Sequence, residues 1–496
     1  MFKFILKQKV YLFLVLMIGM IASCRSDDDM VIGDITSPTG ELTKTIPWDE
    51  TEASISFTAN SAWEASVAEV GTRAATSISW LKITVPKGGA GDVKMPLFLS
   101  KNDNETYREA EVTIKCGEKS VTVTIHQEAN PDAVKMMDAS AISNYSMYIT
   151  PGTWNEGFEK GPDYMLRSDA RWSWWRMKQS EHFFVFWEPG FGDNPNSESV
   201  PEALRVDIDD LLQKAEQFYK TNVEKLGMAT VGQGKSVLDN HKMQIYLLYQ
   251  TDWLATGSGY DDKIGALWVN PSTCKPVGST IGHEIGHSFQ YQVSADKLFT
   301  GEVTPIDRAD GSQLVPAGFR YGFGENGAGG CAYWEQCAQW QSFQDYPNEC
   351  FDQDAHYAVW LKNHHRHFNH EFMRYASYWF QYWFTEKHGI ESYARIWKES
   401  KYPEDPLQTY MRIYCNNSLD ALYKDLYAYS AHCADYDFKA VHQYKKEAAI
   451  NYSTKLYKND GYYQVAYTNC PGTTGFNLIP LNVPASGKVS AMLEGL

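Results

Sequence analysis

The chain has 496 residues, enough for two or three domains with cores of their own. Its formal net charge is -16, and its basic residues concentrate only at the extreme N-terminus, in Lys3, Lys7 and Lys9. That balance excludes nucleic-acid binding and charge-driven attachment to an anionic membrane as main functions.

Residues 1–24 pass from those lysines through the apolar run Val10 to Ile21 and end in Ile21-Ala22-Ser23-Cys24. The run is short for a spanning helix and has the layout of a secretory signal. Its ending resembles the bacterial lipobox, and Arg25-Ser26-Asp27-Asp28-Asp29 resembles the acidic export tag of Bacteroidetes surface lipoproteins. The resemblance implies cleavage before Cys24, lipidation at Cys24, an acidic tether over 25–34 and a place on the outer membrane at the cell surface. More than one acyl chain suffices for stable anchoring. The other cysteines, Cys116, Cys274, Cys331, Cys337, Cys350, Cys415, Cys433 and Cys470, form no CxxC pair. Export permits disulfides, but this scatter does not demand them, and small buried apolar roles are expected.

From 35 to 129 the chain shows short alternating runs, among them Ser54 to Thr58, Leu81 to Val85, Glu111 to Lys115 and Ser120 to Ile125. Their length and period predict an antiparallel β-sandwich, immunoglobulin-like in size. Asn60-Ser61-Ala62-Trp63, Trp80-Leu81, Gly88-Gly89, Asn102 to Asn104, Arg108-Glu109-Ala110 and Ile125-His126-Gln127 follow in an order that resembles a BACON domain. The resemblance implies either glycan binding or a spacer that lifts the next domain from the membrane.

Residues 130–150 are expected to be a linker and 151–460 a second domain. Glu181 to Trp187 reads as a buried strand and Pro201 to Leu226 as a helix, followed by strands at Met243 to Tyr249 and Ile264 to Val269. From Gly330 to Ser400 the apolar spacing is helical again. Sheet first and helices after suits an α+β domain. Short strands return after Gly461, and 461–496 is expected to open a C-terminal β-domain.

Within this second domain, Thr280-Ile-Gly-His-Glu-Ile-Gly-His-Ser contains HExxH. On a helix, His283 and His287 project from one face and could ligate one Zn2+, while Glu284 beside them serves as general base. Gly286 inside the motif costs helix stability of about 1 kcal/mol against Ala, which points to close packing there. Ser279-Thr280 offers a helix cap. A catalytic zinc needs a third protein ligand. A metzincin would require Gly at 290 and His at 293, where this chain has Gln290 and Val293. Glu302, Glu325, Glu335 and Glu349 are the nearest glutamates. Glu335, in Trp334-Glu335-Gln336-Cys337-Ala338-Gln339-Trp340, resembles the gluzincin E-x-x-A-x-aromatic helix. It is preferred over Glu325, whose glycine-rich surroundings would hold a ligand loosely. The interval from His287 to Glu335 is longer than in most gluzincins. Arg374 to Gly389 resembles the later gluzincin helix, and His370, Tyr375 and Tyr378 are candidates to polarise the oxyanion. His364-His365-Arg366-His367 reads as a solvated stretch rather than a second metal site. Ile264 to Val269 is expected to be the edge strand on which an extended peptide lies.

The resemblance to a gluzincin-type, zincin-like metallopeptidase implies a zinc endopeptidase acting on extracellular proteins or glycoproteins, mucin-like ones included. With 14% aromatic residues, stacking on a glycan fits as well. The alternative is a non-catalytic glycan-binding or adhesion lipoprotein, against which the intact His283, Glu284 and His287 weigh.

Overall fold

Alternating runs in the N-terminal third become two sheets because each run buries every second side chain. The computed structural model describes residues 30–32, 42–70, 78–152, 157–309, 311–319, 330–352, 356–445 and 454–492. Cys24, most of the tether and Glu325 therefore lie outside the described residues. The chain divides into two compact units, Met1–Lys135 and Met136–Leu496. No helix among the described residues is long and apolar enough to cross a membrane.

In the first unit the strands are β1 (Met30–Ile32), β2 (Thr43–Ile46), β3 (Glu52–Ala59), β4 (Trp63–Glu69), β5 (Leu81–Ile83), β6 (Lys87–Gly88), β7 (Gly91–Leu99), β8 (Arg108–Cys116) and β9 (Lys119–Gln127). They form two sheets, ordered β1-β3-β7-β5 and β2-β9-β8-β4-β6. Phe57 and Leu97 from one sheet share a core with Trp63, Val112 and Ile125 from the other. The expected all-antiparallel pairing is modified at the edges, where β1 runs parallel to β3 and β2 parallel to β9. An edge position asks for only one neighbour, so either direction satisfies the backbone there. Arg108 lies over the Trp80 ring at 4.5 Å and donates through Nε to Gln127 Oε1 at 2.9 Å.

The second unit starts earlier than expected. Residues 136–150 are no linker: Met136 bridges Arg167, and the Tyr148 hydroxyl lies 3.0 Å from that of Tyr246. Aromatic side chains that bury themselves outweigh the loop-like composition of this stretch. The unit's sheet is mixed, with the order β10 (Met177–Gln179), β11 (Phe183–Trp187), β12 (Met243–Leu247), β14 (Ile264–Val269) and β13 (Ala255–Tyr260). The pairs β11/β12 and β12/β14 are parallel, and the outer pairs are antiparallel. Strands β11 and β12 are buried along their whole length, as interior strands covered on both faces must be. This corrects the edge-strand expectation for Ile264 to Val269, because the β13/β14 hairpin folds back and inserts β14 inside. The edge is β13, whose Gly-Ser-Gly composition gave little strand signal.

Helix α1 (Ile208–Lys220) crosses from β11 to β12. It starts where Asp207 caps the backbone N–H groups of Asp209 and Asp210, not at Pro201. Helix α2 (Ser279–Phe299) carries HExxH, and its N-cap is Gly278, with no side-chain cap from Ser279 or Thr280. Next come α3 (Gly330–Ser342), α4 (His356–Asn363), α5 (Trp379–His388), α6 (Ser392–Glu399), α7 (Pro406–Tyr414) and α8 (Leu419–Asp435). Cys470 is exposed, and the other described cysteines are buried free thiols.

Two expectations near the C-terminus change. The segment after 461 continues a single hairpin, β15 (Leu456–Asn459) with β16 (Tyr462–Val465), and then packs on this same unit. Gly472 N–H donates to His365 O, Phe476 N–H to His364 O, and the Phe476 ring lies 6.1 Å from Trp360. Phe476, half-buried in an aromatic cluster, draws the described part of the tail onto this unit rather than into a separate β-domain. The same tail covers His364 and His365, which are buried, not solvated. Burial pushes His364 down to about 4.

Candidate metal centre

One helical turn separates His283 from His287, so α2 presents both imidazoles on one face. Helix α3 lies across that face, and a Cβ at Gly286 would meet Ala338 Cα at 3.3 Å. A small residue on each helix allows this approach and delivers Glu335 to the histidines. Glu335 Oε2 lies 3.0 Å from His283 Nε2 and 2.9 Å from His287 Nε2. All three side chains are buried, and their ligand atoms lie within 4.8 Å of one another. Two imidazole nitrogens and one carboxylate, convergent and largely buried at the cleft, could hold a metal ion. Among the described residues no other such group exists.

Charge follows this geometry. Burial pushes Glu335 up, but the bonds from His283 and His287 outweigh it and hold the carboxyl far below its usual range. Burial pushes His287 down, yet Glu335 bonded to it and the nearby Glu284 carry it above its ordinary value.

Glu284 is buried on the same helix, and the backbone N–H of Gly257 on β13 donates to its Oε2. Both line a cleft of about 1030 Å³, together with Thr256 and Ser258 of the edge strand and Trp334. Exposed Trp253 stands at the same cleft.

The candidates for an oxyanion donor part company. Tyr375 lines the cleft with its ring 5.8 Å from that of His283. Burial and the neighbouring Glu335 raise its hydroxyl's pKa, so it stays protonated. Tyr378 is buried and donates to Cys350 O at 2.6 Å. His370 does not line the cleft: its Nδ1 accepts from Phe372 N–H, and its Nε2 faces Arg366. An i, i+5 offset on an irregular turn placed Tyr375 and His370 on different sides, which spacing alone does not reveal.

Sequence assigns no role to several residues around the centre. His356 stacks on Tyr375 at 5.3 Å, and burial beside His283 holds it down to about 4, hence neutral. Gly257, Gln290 and Gln339 also touch the centre. Gln339 had a visible signal, since it follows Glu335 by one helical turn.

Residues 139–496, most of the chain and all of this centre, match a "Family of unknown function (DUF6055)". The chain belongs to the DUF6055 family. Ahead of its DUF6055 region, residues 67–128 match BACON, described as "Putative binding domain, N-terminal", in agreement with the resemblance read from Trp80, Arg108 and Gln127. No curated protein matches the chain. Several solved structures overlap it, two Bacteroides proteins among them. A protein from Bacteroides thetaiotaomicron, solved by NMR, is 16% identical, covers 20% of this chain and 98% of its own, and has a TM-score of 0.14. A Bacteroides ovatus GH5 xyloglucanase in complex with a XXXG heptasaccharide is 14% identical, with 61% of this chain and 60% of that one covered and a TM-score of 0.15. At those scores neither overlap bears on the fold or chemistry of the DUF6055 region.

Proposed function

We propose that this DUF6055 chain is a zinc-dependent endopeptidase with a zincin-like catalytic unit, lipid-anchored at Cys24 on the outer surface of a bacterial outer membrane. Its substrates are extracellular proteins or glycoproteins. The observation that carries the reading is the buried triad of His283, His287 and Glu335 with Glu284 beside it in one open cleft.

Nitrogen and carboxylate donors in this number suit zinc, which when bound acidifies a water and polarises the scissile carbonyl. Glu284 takes the proton released as water attacks the carbonyl carbon and returns it to the amide nitrogen as the C–N bond breaks. The Tyr375 hydroxyl, kept protonated, donates to the developing oxyanion. Strand β13, last in its sheet among the described residues and beside the cleft, can pair with an extended peptide.

The test is zinc content and peptide hydrolysis by the purified protein beside Glu284→Gln. A chain with stoichiometric zinc and activity that this substitution abolishes is expected. Activity unchanged by Glu284→Gln, or no zinc taken up, refutes the reading. In that event the BACON match favours the second reading, a non-catalytic glycan-binding or adhesion lipoprotein.

A further inference from the structure

Each histidine of the triad has its second ring nitrogen against a glutamine. His283 Nδ1 lies 3.0 Å from Gln339 Oε1, and His287 Nδ1 lies 3.0 Å from Gln290 Oε1. An amide can present either end, so the distance alone does not say which atom carries the proton. The surroundings of Gln290 decide it.

Gln290 Nε2 donates to Trp334 O at 3.0 Å and to Gln341 Oε1 at 2.9 Å. Gln341 Nε2 in turn donates to Asn222 Oδ1, and Asn222 Nδ2 to Phe218 O at 2.9 Å. Tyr393 adds a second donor to Gln341 Oε1, at 2.9 Å. A backbone carbonyl only accepts, so the chain's end at Phe218 O and its branch at Trp334 O fix the direction of every link. Gln290 must turn its oxygen to His287, whose Nδ1 must then be the donor. A carboxylate only accepts, so Nε2 of His287 donates to Glu335 Oε2 in this structure, and it is this proton, not the one on Nδ1, that yields to a metal. All of Gln290, Gln341 and Asn222 are buried.

We propose that Gln290 and Gln339 are positioning residues that hold both histidines as Nδ1–H tautomers with Nε2 aimed at the metal. For Gln290 the constraint is transmitted from α1 and α3 through a one-way chain of amides. The pair is also neutral, so with one bound divalent cation only Glu335 among these contacts carries a compensating charge. This inference rests on the metal-binding reading above, because a tautomer lock matters only where a lone pair must be offered.

The experiment measures Zn2+ affinity of the full chain by competition with a chelating dye, and thermal unfolding of the chelated protein alongside it. Gln290→Met and Gln339→Met keep bulk but remove the acceptor, and each is expected to weaken zinc binding about 10–100-fold. Gln339→Glu keeps an acceptor and is expected to restore affinity close to wild type. A role in packing alone would lower the unfolding temperature of the chelated protein and leave affinity untouched, which overturns the proposal. Gln339→Glu binding as weakly as Gln339→Met overturns it too. If Gln290→Met does not fold, the Gln339 pair decides. Wild-type protein that binds zinc no better than His287→Ala marks failure of the metal reading itself, a different result from wild-type binding with indifferent glutamine variants.

Discussion

The backbone N–H of Gly257 donates to Oε2 of Glu284, so the edge strand meets the HExxH helix at the carboxylate proposed as general base. A Cβ at Gly257 would fall 1.9 Å from Glu284 O. Nothing larger than glycine fits that approach. Gly257→Ala should push β13 from α2 at a cost of about 1–3 kcal/mol or more. Displacing the base by about 1 Å is expected to lower kcat roughly 10²-fold. A thermal melt and steady-state kinetics on a cleaved peptide check both, and a melt unchanged from wild type would contradict the contact.

Tyr375 and His370 should behave oppositely. Tyr375→Phe removes a hydroxyl from the cleft and is expected to cut kcat about 10²–10³-fold with KM little changed. His370→Ala loses a cap to Phe372 N–H and contacts to Arg366 and the Phe372 ring, costs about 1 kcal/mol of stability, and should leave kcat near wild type. Kinetics of the two variants side by side distinguish them.

Metal removal should soften the second unit without unfolding it. In the metal-free chain Glu335 already bonds both histidines, so the buried carboxylate keeps partners. Zinc at about 1,000 times its Kd should add about 4 kcal/mol, seen as a rise in unfolding temperature that a chelator reverses. Glu335→Gln should shrink that rise, whereas Glu325→Ala should leave it intact. The opposite pattern would move the third ligand to Glu325.

Glu216 gives an acid-dependent prediction away from the centre. Burial pushes its carboxyl up, but His182 Nδ1 at 2.7 Å, Ser180 Oγ and His182 N–H outweigh that and hold it below its ordinary range. A carboxyl with a depressed folded pKa stabilises the fold above its unfolded value, near about 4.3, and the benefit disappears as pH falls through the folded value. Glu216→Gln should therefore be less stable than wild type by about 1–3 kcal/mol at pH 7, with the gap closing below about pH 4. Denaturant melts at both pH values read this directly.

Much of the centre was legible in the chain. His283, Glu284 and His287 lie within one stretch whose helical period alone puts two imidazoles on one face. Glu335 was legible through Ala338, because a small residue one turn on marks where a helix can be approached, and Gly286 opposite carries the complementary mark. The strands β11, β12 and β14 were legible as apolar runs, since a run buried on both faces has no alternative environment.

Tertiary structure decided the rest. Which of two neighbouring strands forms the sheet edge depends on how the β13/β14 hairpin folds back, and no local period encodes that. Whether 136–150 is linker or core depends on a pocket for Tyr148 built almost a hundred residues later, around Tyr246. The proton position proposed for His287 depends on the amides of Asn222, just past α1, and Gln341, on α3, which only folding brings together. Local sequence determines periodicity and ligand type, because these follow from backbone geometry and side-chain chemistry residue by residue. Edges, pockets and proton positions are properties of contacts between distant segments, and they exist only once those segments have packed.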